Sequence, residues 1–327
     1  SEEAPDEVDV AVDPELLGRI FENLISDDEQ SRHGVVYTPR PVVQFMVRES
    51  LVGWLQGNLG ISEGDARRLV VDEDPIGDYS KINGASAALT LCDQLEKSIG
   101  DLKVIDPAVG SGAFLLGMLS EIIRLRTLVY EARTGHQPSL EAIRQWKLHA
   151  VERSLFGVDI EPLALELCRL RLWLSLLTDV PDGGDLRPLP NLEYRTVAAD
   201  SLTSYFGGVL VHSDRGLQQG SFDTQVDARR LLELRAAFFE SFDPAEKVRL
   251  REAIADEENR LVASMVSRAE ENIKRFRERE RVAGTVFLKD VKQRFTSRDR
   301  VFPVFVPLFH APDAVAAGGW DIVIMNP

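Results

Sequence analysis

Three carboxylates, a glycine bend and one asparagine are the residues of this 327-residue chain whose types and spacing suggest chemistry. Leu102-Lys-Val-Ile-Asp106-Pro107-Ala108-Val109-Gly110-Ser111-Gly112-Ala113-Phe114-Leu115 reads as a short apolar strand, a tight turn and the start of a helix with apolar periodicity to about Glu131. Strand, glycine loop and helix open a nucleotide-binding βαβ unit. Gly110 and Gly112 let the backbone bend and approach a ligand with no Cβ in the way, while Asp106 ends its strand with a carboxylate facing that ligand. Leu115 stands where a dinucleotide fingerprint has its third glycine, so a turn that serves only helix packing remains an alternative. A second strand, Ser154-Leu-Phe-Gly157-Val158-Asp159-Ile160-Glu161-Pro162, ends in an acid that can accept both ribose hydroxyls of a nucleoside. A third, Glu193-Tyr-Arg-Thr-Val-Ala-Ala-Asp200-Ser201-Leu202, ends in an acid that could accept from the amino group of an adenine ring. Each acid could equally be a helix N-cap or a solvated loop charge. Finally, Trp320-Asp-Ile-Val-Ile-Met-Asn326-Pro327 is a buried strand running into an Asn-Pro dipeptide, which alone is ordinary turn chemistry.

These residues need a framework to hold them. The spacing predicts an α/β protein: a Rossmann-like, doubly wound sheet with an N-terminal helical region and a helical insertion before the last strand. Residues 1–13 read as an acidic disordered tail, 14–100 as the helical region, 101–203 as the core, 204–318 as the insertion and 319–327 as the final strand. Within the helical region, residues 60–86 read as a charged, glycine-containing connector. Thr38, in Tyr37-Thr38-Pro39, is placed as the N-cap of a helix carrying Val42, Val43, Met46 and Val47 at helical spacing. Asp159 lies 53 positions beyond Asp106 (159 minus 106), against about 20 in a dinucleotide fold. A helical insertion over residues 133–150 must therefore be looped out, after which Pro162 opens a helix through Leu177. In the long insertion, Asp243-Pro244-Ala-Glu246 is a helix start, followed by Ile254, Leu261, Met265, Ile273 and Phe276 in helical phase. An earlier stripe of Leu231, Leu234, Phe238 and Phe242 predicts a partner helix, and core packing is a better use of Phe238, Phe239 and Phe276 than base stacking.

Composition narrows the function classes. With 53 acidic against 38 basic residues, the net charge of −15 opposes a phosphate backbone, so a nucleic-acid partner requires a local basic surface. Residues 274–300 hold ten Lys or Arg against four acids, which reads either as that surface or as a solvated helical face. Cys92 and Cys168 are far apart in apolar contexts and predict buried thiols with no zinc spacing, and the five histidines do not cluster, so no metal site is expected. No apolar run reaches membrane-spanning length and no signal peptide is evident, which predicts a cytoplasmic protein.

Tyr-Thr-Pro, Asp-Pro-Ala-x-Gly-Ser-Gly-x-Phe-Leu, Val-Asp-Ile-Glu-Pro, Ala-Asp-Ser-Leu and Asp-Ile-Val-Ile-x-Asn-Pro occur here in one order. That ordered set closely resembles the gamma-class adenine-specific DNA methyltransferases, in particular the methyltransferase part of fused restriction-modification and phage-defence enzymes. The resemblance runs from about Pro14 to Pro327. It implies S-adenosylmethionine as cofactor, with Tyr37, Thr38 and Pro39 against its methionine part and Asp106, Pro107, Ala108, Gly110 and Gly112 lining it. It places Asp159 and Ile160 on the ribose and adenine, and Asp200 with Ser201 at the adenine amino group. Asn326 and Pro327 become the catalytic pair, and the partner becomes double-stranded DNA with a flipped adenine, served by fused or associated nuclease, helicase or specificity modules.

The implied chemistry explains the residue types. An exocyclic adenine amine is a poor nucleophile because its lone pair is delocalised into the ring. Two acceptors, the Asn326 side-chain oxygen and the Pro327 carbonyl, can bind its two N–H groups and stabilise the positive charge that develops on attack. The family motif continues with a second proline and an aromatic, which the 327 residues do not include. The expectation from sequence is thus cofactor binding without competent methylation by this stretch alone. Two rivals resemble parts of the pattern: a glutamine methyltransferase, which fits the Tyr-Thr-Pro entry and the insertion poorly, and a non-catalytic cofactor-binding scaffold in a defence complex.

Overall fold

A computed structural model describes residues 38–72, 75–177, 192–202, 205–206, 209–210, 224–241, 243–275, 278–296 and 300–326. The acidic tail, Tyr37, Phe242, Phe276 and Pro327 lie outside the described residues. Four parallel strands form the centre: β1 (Val104–Asp106), β2 (Leu155–Asp159), β3 (Thr196–Ala198) and β6 (Ile322–Val323). Their order is β3-β2-β1-β6, with Val104 level with both Leu155 and Ile322, and Gly157 level with Thr196. The strands are apolar almost throughout because both faces are covered. On one face, Val104, Leu155, Ile322 and Ile324 pack with α1 (Arg40–Leu59), α4 (Ala85–Asp101), α5 (Ala113–Thr134) and α7 (Pro162–Leu177). On the other, Ile105, Phe156, Val158 and Val197 pack with Phe305, Ala311, Ala314 and Trp320. The fold is therefore α/β with a parallel sheet, as the motif spacing predicts.

The two crossovers are built as their sequences suggest. Helix α5 starts at the glycine loop and runs past Glu131 to Thr134, ending on Gly135 in the left-handed conformation. A further helix, α6 (Leu140–His149), and a π-helical turn over Ala150–Ser154 take up the extra spacing before β2. Helix α7 begins at Pro162 and ends at Leu177. Gly117 of α5 lets α1 lie close, since a Cβ there would sit 2.8 Å from a methyl of Val43.

Residues 60–86 depart from the expected connector: they hold α2 (Glu63–Val71) and α3 (Pro75–Asn83). Their glycines punctuate the helices rather than loosen the chain. Gly60 takes φ 65° at the end of α1, and Gly84 takes φ 89° before α4. The overlooked signal is Ser62, whose hydroxyl accepts the Asp65 N–H at 3.1 Å and donates to the Asp65 carboxylate at 2.7 Å. Thr38 is also corrected: the residue flanking α1 is Pro39, and no side chain caps the helix. Pro41 has no N–H to offer and the Val42 N–H already bonds the Pro39 carbonyl, so a threonine at 38 finds little to cap.

The insertion contributes a separate core. Asp243 caps α9 (Pro244–Ile273) by accepting the Ala245 N–H at 3.1 Å. Helix α8 (Thr224–Glu240) supplies Leu231 and Phe238, α9 supplies Ile254, Leu261, Met265 and Ile273, and α10 (Glu278–Thr296) adds Leu288, Val291 and Phe295. Phe238 is fully buried with its ring 4.9 Å from that of Tyr194, so it serves the core. An antiparallel hairpin, β4 (Tyr205–Phe206) with β5 (Val209–Leu210), and two short helices, α11 (Pro307–His310) and α12 (Pro312–Ala316), complete the described elements. In the basic stretch, Lys292 pairs with Glu270, Arg294 with Asp290 and Arg300 with Glu258, while Lys274, Arg275 and Lys289 remain exposed.

Candidate active site at the strand tips

Going from β1 to β2 and β3 the chain winds one way, whereas β6 lies on the other flank of β1. In an open parallel sheet, the crevice beyond the carboxyl ends at such a reversal is where ligands bind. Asp106 and Asp159 are the last residues of β1 and β2, Asp200 and Asn326 follow β3 and β6 by two and three residues, and β1 and β6 are the two strands that flank the reversal.

The glycine loop is stitched to these tips from several directions. The Val109 N–H donates to the Val158 carbonyl at 2.9 Å, and the Gly110 N–H donates to the Asp159 carboxylate at 2.8 Å. The other Asp159 oxygen accepts the Glu161 N–H at 2.9 Å. Two backbone donors thus orient Asp159, and a carboxylate with about four lone-pair positions keeps capacity for further donors. Ser201 Oγ donates to the Pro107 carbonyl at 2.6 Å, which ties the third tip to the first. Asp200 caps its own turn by accepting the Leu202 N–H at 2.9 Å, and this loop is held by reciprocal bonds to Phe302 and Phe305. Gly110 has φ 50° and Gly112 has φ 87°, both in the left-handed region. A Cβ at Gly110 would meet nothing within 4 Å, so the loop backbone is open on that side.

Asp106 is the electrostatic centre of the site. Its side chain is fully buried; one oxygen accepts the Ala108 N–H at 3.0 Å, and the other finds no partner among the described residues. Burial pushes its pKa up to about 7, opposed by the Ala108 hydrogen bond and reinforced by the negative charge of Asp159. Between about pH 3.8 and 7 the native state therefore holds a proton that an unfolded aspartate has lost. Native stability falls as pH rises through that window and levels off above it. Asp106→Asn keeps the shape without the charge, and it is expected to be more stable than wild type at pH 8 by on the order of 1–4 kcal/mol. That advantage should vanish toward pH 4. Urea midpoints of the two proteins across pH 4–8 check this, and parallel curves would contradict it.

The remaining predicted residues lie in the loops after β1, β2 and β3 or at the entry to α1. Pro107, Ala108 and Ser201 are half-buried in the loops that close over the tips, and Ile160 is 48% exposed just beyond Asp159. Thr38 is half-buried and Pro39 exposed at the entry to α1. Asn326 Nδ2 donates to Thr38 Oγ1 at 3.1 Å, joining two residues 288 positions apart. Tyr37 and Pro327 lie outside the described residues.

Sequence reasoning missed the supports beneath the loop. Arg171 of α7, itself buried, donates to the Ser111 carbonyl at 2.9 Å and to the Ser111 hydroxyl at 2.8 Å. Cys168, one turn earlier, lies directly behind Gly112. Burial pushes its thiol up to about 12, which makes it a packing group rather than a nucleophile. Both sit on a helix 56 or more positions from the loop they brace, a spacing with no local signal.

Residues 153–327, more than half of the sequence, match the Eco57I restriction-modification methylase family. The chain belongs to that family. The family match takes in Asp159, Asp200 and Asn326, while Asp106 and the glycine loop lie upstream of it. Among curated relatives, a putative type II restriction enzyme and methyltransferase of Methanocaldococcus jannaschii is 28% identical over 243 residues, covering 68% of this chain. DNA methyltransferase A of Bacillus subtilis is 22% identical over 167 residues, 50% of the chain. The adenine-specific methyltransferase PglX of Streptomyces coelicolor is 34% identical over 77 residues, 24% of the chain. The aligned stretches span only 19%, 16% and 6% of those relatives' own lengths. Among the described residues of this methylase-family chain, no helix is long and apolar enough to cross a membrane.

Proposed function

We propose that this chain forms the cofactor-binding and catalytic core of a restriction-modification DNA methyltransferase, acting on the exocyclic amino group of adenine with S-adenosylmethionine. What supports this reading is the parallel pairing of β6, which runs on into Asn326, with β1, which runs on into the glycine loop, at the reversal of strand order. Adenine as the target is supported by the ordered motifs and by the similarity to a protein named as adenine-specific.

The residues present suit such a cofactor. Asp106 offers a buried, unmatched acceptor oxygen to a cationic ligand, Gly110 leaves backbone room, and Asp159 retains lone pairs for ribose hydroxyls. Ile160 offers an exposed apolar side chain beside them for the adenine ring, and Asp200 with Ser201 closes the far side. When bound, S-adenosylmethionine supplies a methyl group on a sulfonium, which carries its own good leaving group. The chain's task is then to position and to stabilise. Asn326 Oδ1 and the Pro327 carbonyl accept the two N–H groups of the target amine and compensate the charge that develops there. No tuned general base is needed beforehand.

A base inside a duplex cannot reach this crevice, so the target adenine must be flipped out of its stack. Lys274, Arg275 and Lys289, exposed on the insertion, are the local cations we assign to the DNA backbone, against the overall charge of −15. Nuclease, helicase or specificity functions would come from fused or associated modules. Titration calorimetry of this chain with S-adenosylmethionine should show saturable binding. The complete natural protein should place labelled methyl groups on mixed-sequence DNA, recovered as N6-methyladenine after digestion. Heat-silent mixing at millimolar ligand, or label found only on cytosine or protein, would overturn the reading.

A further inference from the structure

Arg171 is an unusual residue to find in a core. Arginine is almost never enclosed without partners, and an apolar side chain would fill the same space on α7 with no charge to desolvate. Yet Arg171 is only 4% exposed, on a helix whose other buried residues are Leu165, Cys168, Leu172 and Leu176. What it meets there is the glycine loop: Nη1 donates to the Ser111 carbonyl at 2.9 Å and to the Ser111 hydroxyl at 2.8 Å. We propose that Arg171 is a positioning residue that holds the loop in its cofactor-receiving form by fixing the Ser111–Gly112 peptide. This rests on the functional reading above and adds to it what selects the shape of the loop before the cofactor arrives.

Ser111 stands between two glycines in the left-handed region, Gly110 at φ 50° and Gly112 at φ 87°. Glycine populates both signs of φ about equally, so these neighbours do not by themselves fix the plane of the peptide that joins Ser111 to Gly112. Hydrogen bonds hold that plane at both ends. Its N–H, on Gly112, donates to the Val109 carbonyl at 2.8 Å, and its carbonyl, on Ser111, accepts from Arg171. A guanidinium only donates and a carbonyl only accepts, so the sense of the second bond is unambiguous. The first bond closes a tight turn within the loop. The second ties the peptide to α7, whose Leu165, Cys168 and Leu172 belong to the main core. Losing a charged donor shifts the balance between this plane and a turned one by about 10–100-fold. A loop that is receptive for only part of the time binds with an affinity lowered by that fraction, while the bound state, once formed, is the same.

The test uses three variants of the complete protein. Arg171→Met keeps an apolar stem without the donor, Arg171→Lys keeps a buried cation, and Ser111→Ala removes the hydroxyl but leaves the carbonyl bond. By calorimetry, Arg171→Met should raise the dissociation constant for S-adenosylmethionine about 5–50-fold. Stopped-flow binding should place that loss in the association rate, with the dissociation rate within about twofold of wild type, because the loop must be receptive before the cofactor enters. At saturating cofactor, kcat should stay within about threefold, since Arg171 acts on the empty loop. Ser111→Ala should weaken binding by less than about threefold. Arg171→Lys should fall between wild type and Arg171→Met, and it is read in the same way if Arg171→Met does not fold. A residue that only filled the core would lower the melting temperature and leave both rate constants of the folded protein alone. Unchanged affinity in the folded Arg171 variant, a loss carried by faster dissociation, or an equal loss in Ser111→Ala would overturn the proposal while leaving the function intact. A wild-type protein that does not bind S-adenosylmethionine would sink the functional reading, and the proposal with it.

Discussion

Asn326→Ala is expected to cut methyl transfer by the complete protein about 10²–10³-fold, in line with the loss of one preorganised polar group at a developing charge. Affinity for S-adenosylmethionine should stay within about threefold of wild type. The separation follows from the geometry: Asn326 sits at the end of β6 and bonds to Thr38, whereas the loop, Asp106 and Asp159 form their own network of backbone bonds. Removing the side chain leaves that network untouched. Because Asn326 is exposed and its neighbour Ile324 supplies the burial, the substitution should cost little stability. Single-turnover rates set beside calorimetric affinity would check both halves. Equal losses in rate and in cofactor affinity would mean that Asn326 helps to hold the cofactor rather than to handle the amine.

The sequence carries the strand tips of this site plainly and their supports hardly at all. Asp106 with its glycine loop, Pro162 at the head of α7 and Asp243 at the head of α9 are legible because each rule behind them is local: a turn needs glycine, a first helical turn tolerates proline, and a cap needs an acceptor. Thr38 defeats the same local logic. It has the right residue type for a cap, but Pro41 lacks the N–H to receive it, and its partner lies 288 positions away. Residues 60–86 mislead for the opposite reason, since their charges and glycines suggest a loop while Ser62 and Asp65 mark a helix start only three positions apart. Gly207-Gly208, between Tyr205–Phe206 and Val209–Leu210, is a hairpin signal left unused in a stretch whose strands are two residues long. What no pattern reveals is Phe302, which pairs with Ala198 and Asp200 through backbone bonds and so holds the third acidic tip from about a hundred positions downstream.

Gly112→Ala is expected to be the most damaging single change in the crevice. The residue has φ 87°, a conformation that costs a residue with a Cβ about 1–2 kcal/mol. The added carbon would also lie 2.6 Å from Cys168 Sγ, 3.3 Å from Cys168 Cβ and 3.4 Å from its Cα, so the thiol cannot be the only atom to yield. Cys168 is completely buried on α7, and overpacking of this kind costs about 1–3 kcal/mol more. Together these predict a loss of about 2–5 kcal/mol in native stability. The damage is directional as well, because moving the loop off α7 breaks the Arg171 bonds to Ser111 and pulls the Gly110 N–H from Asp159. Calorimetric affinity for S-adenosylmethionine should therefore fall by more than about tenfold even in protein that remains folded. Adding Cys168→Ala removes the nearest atom but neither the 3.3 Å contact nor the strained φ, so it should return about 1 kcal/mol and no more. Urea midpoints for the two single variants and the double variant measure that coupling. Full recovery in the double variant would assign the whole effect to the thiol and none to the backbone, and a stable Gly112→Ala with native cofactor affinity would show that the loop does not need the bend.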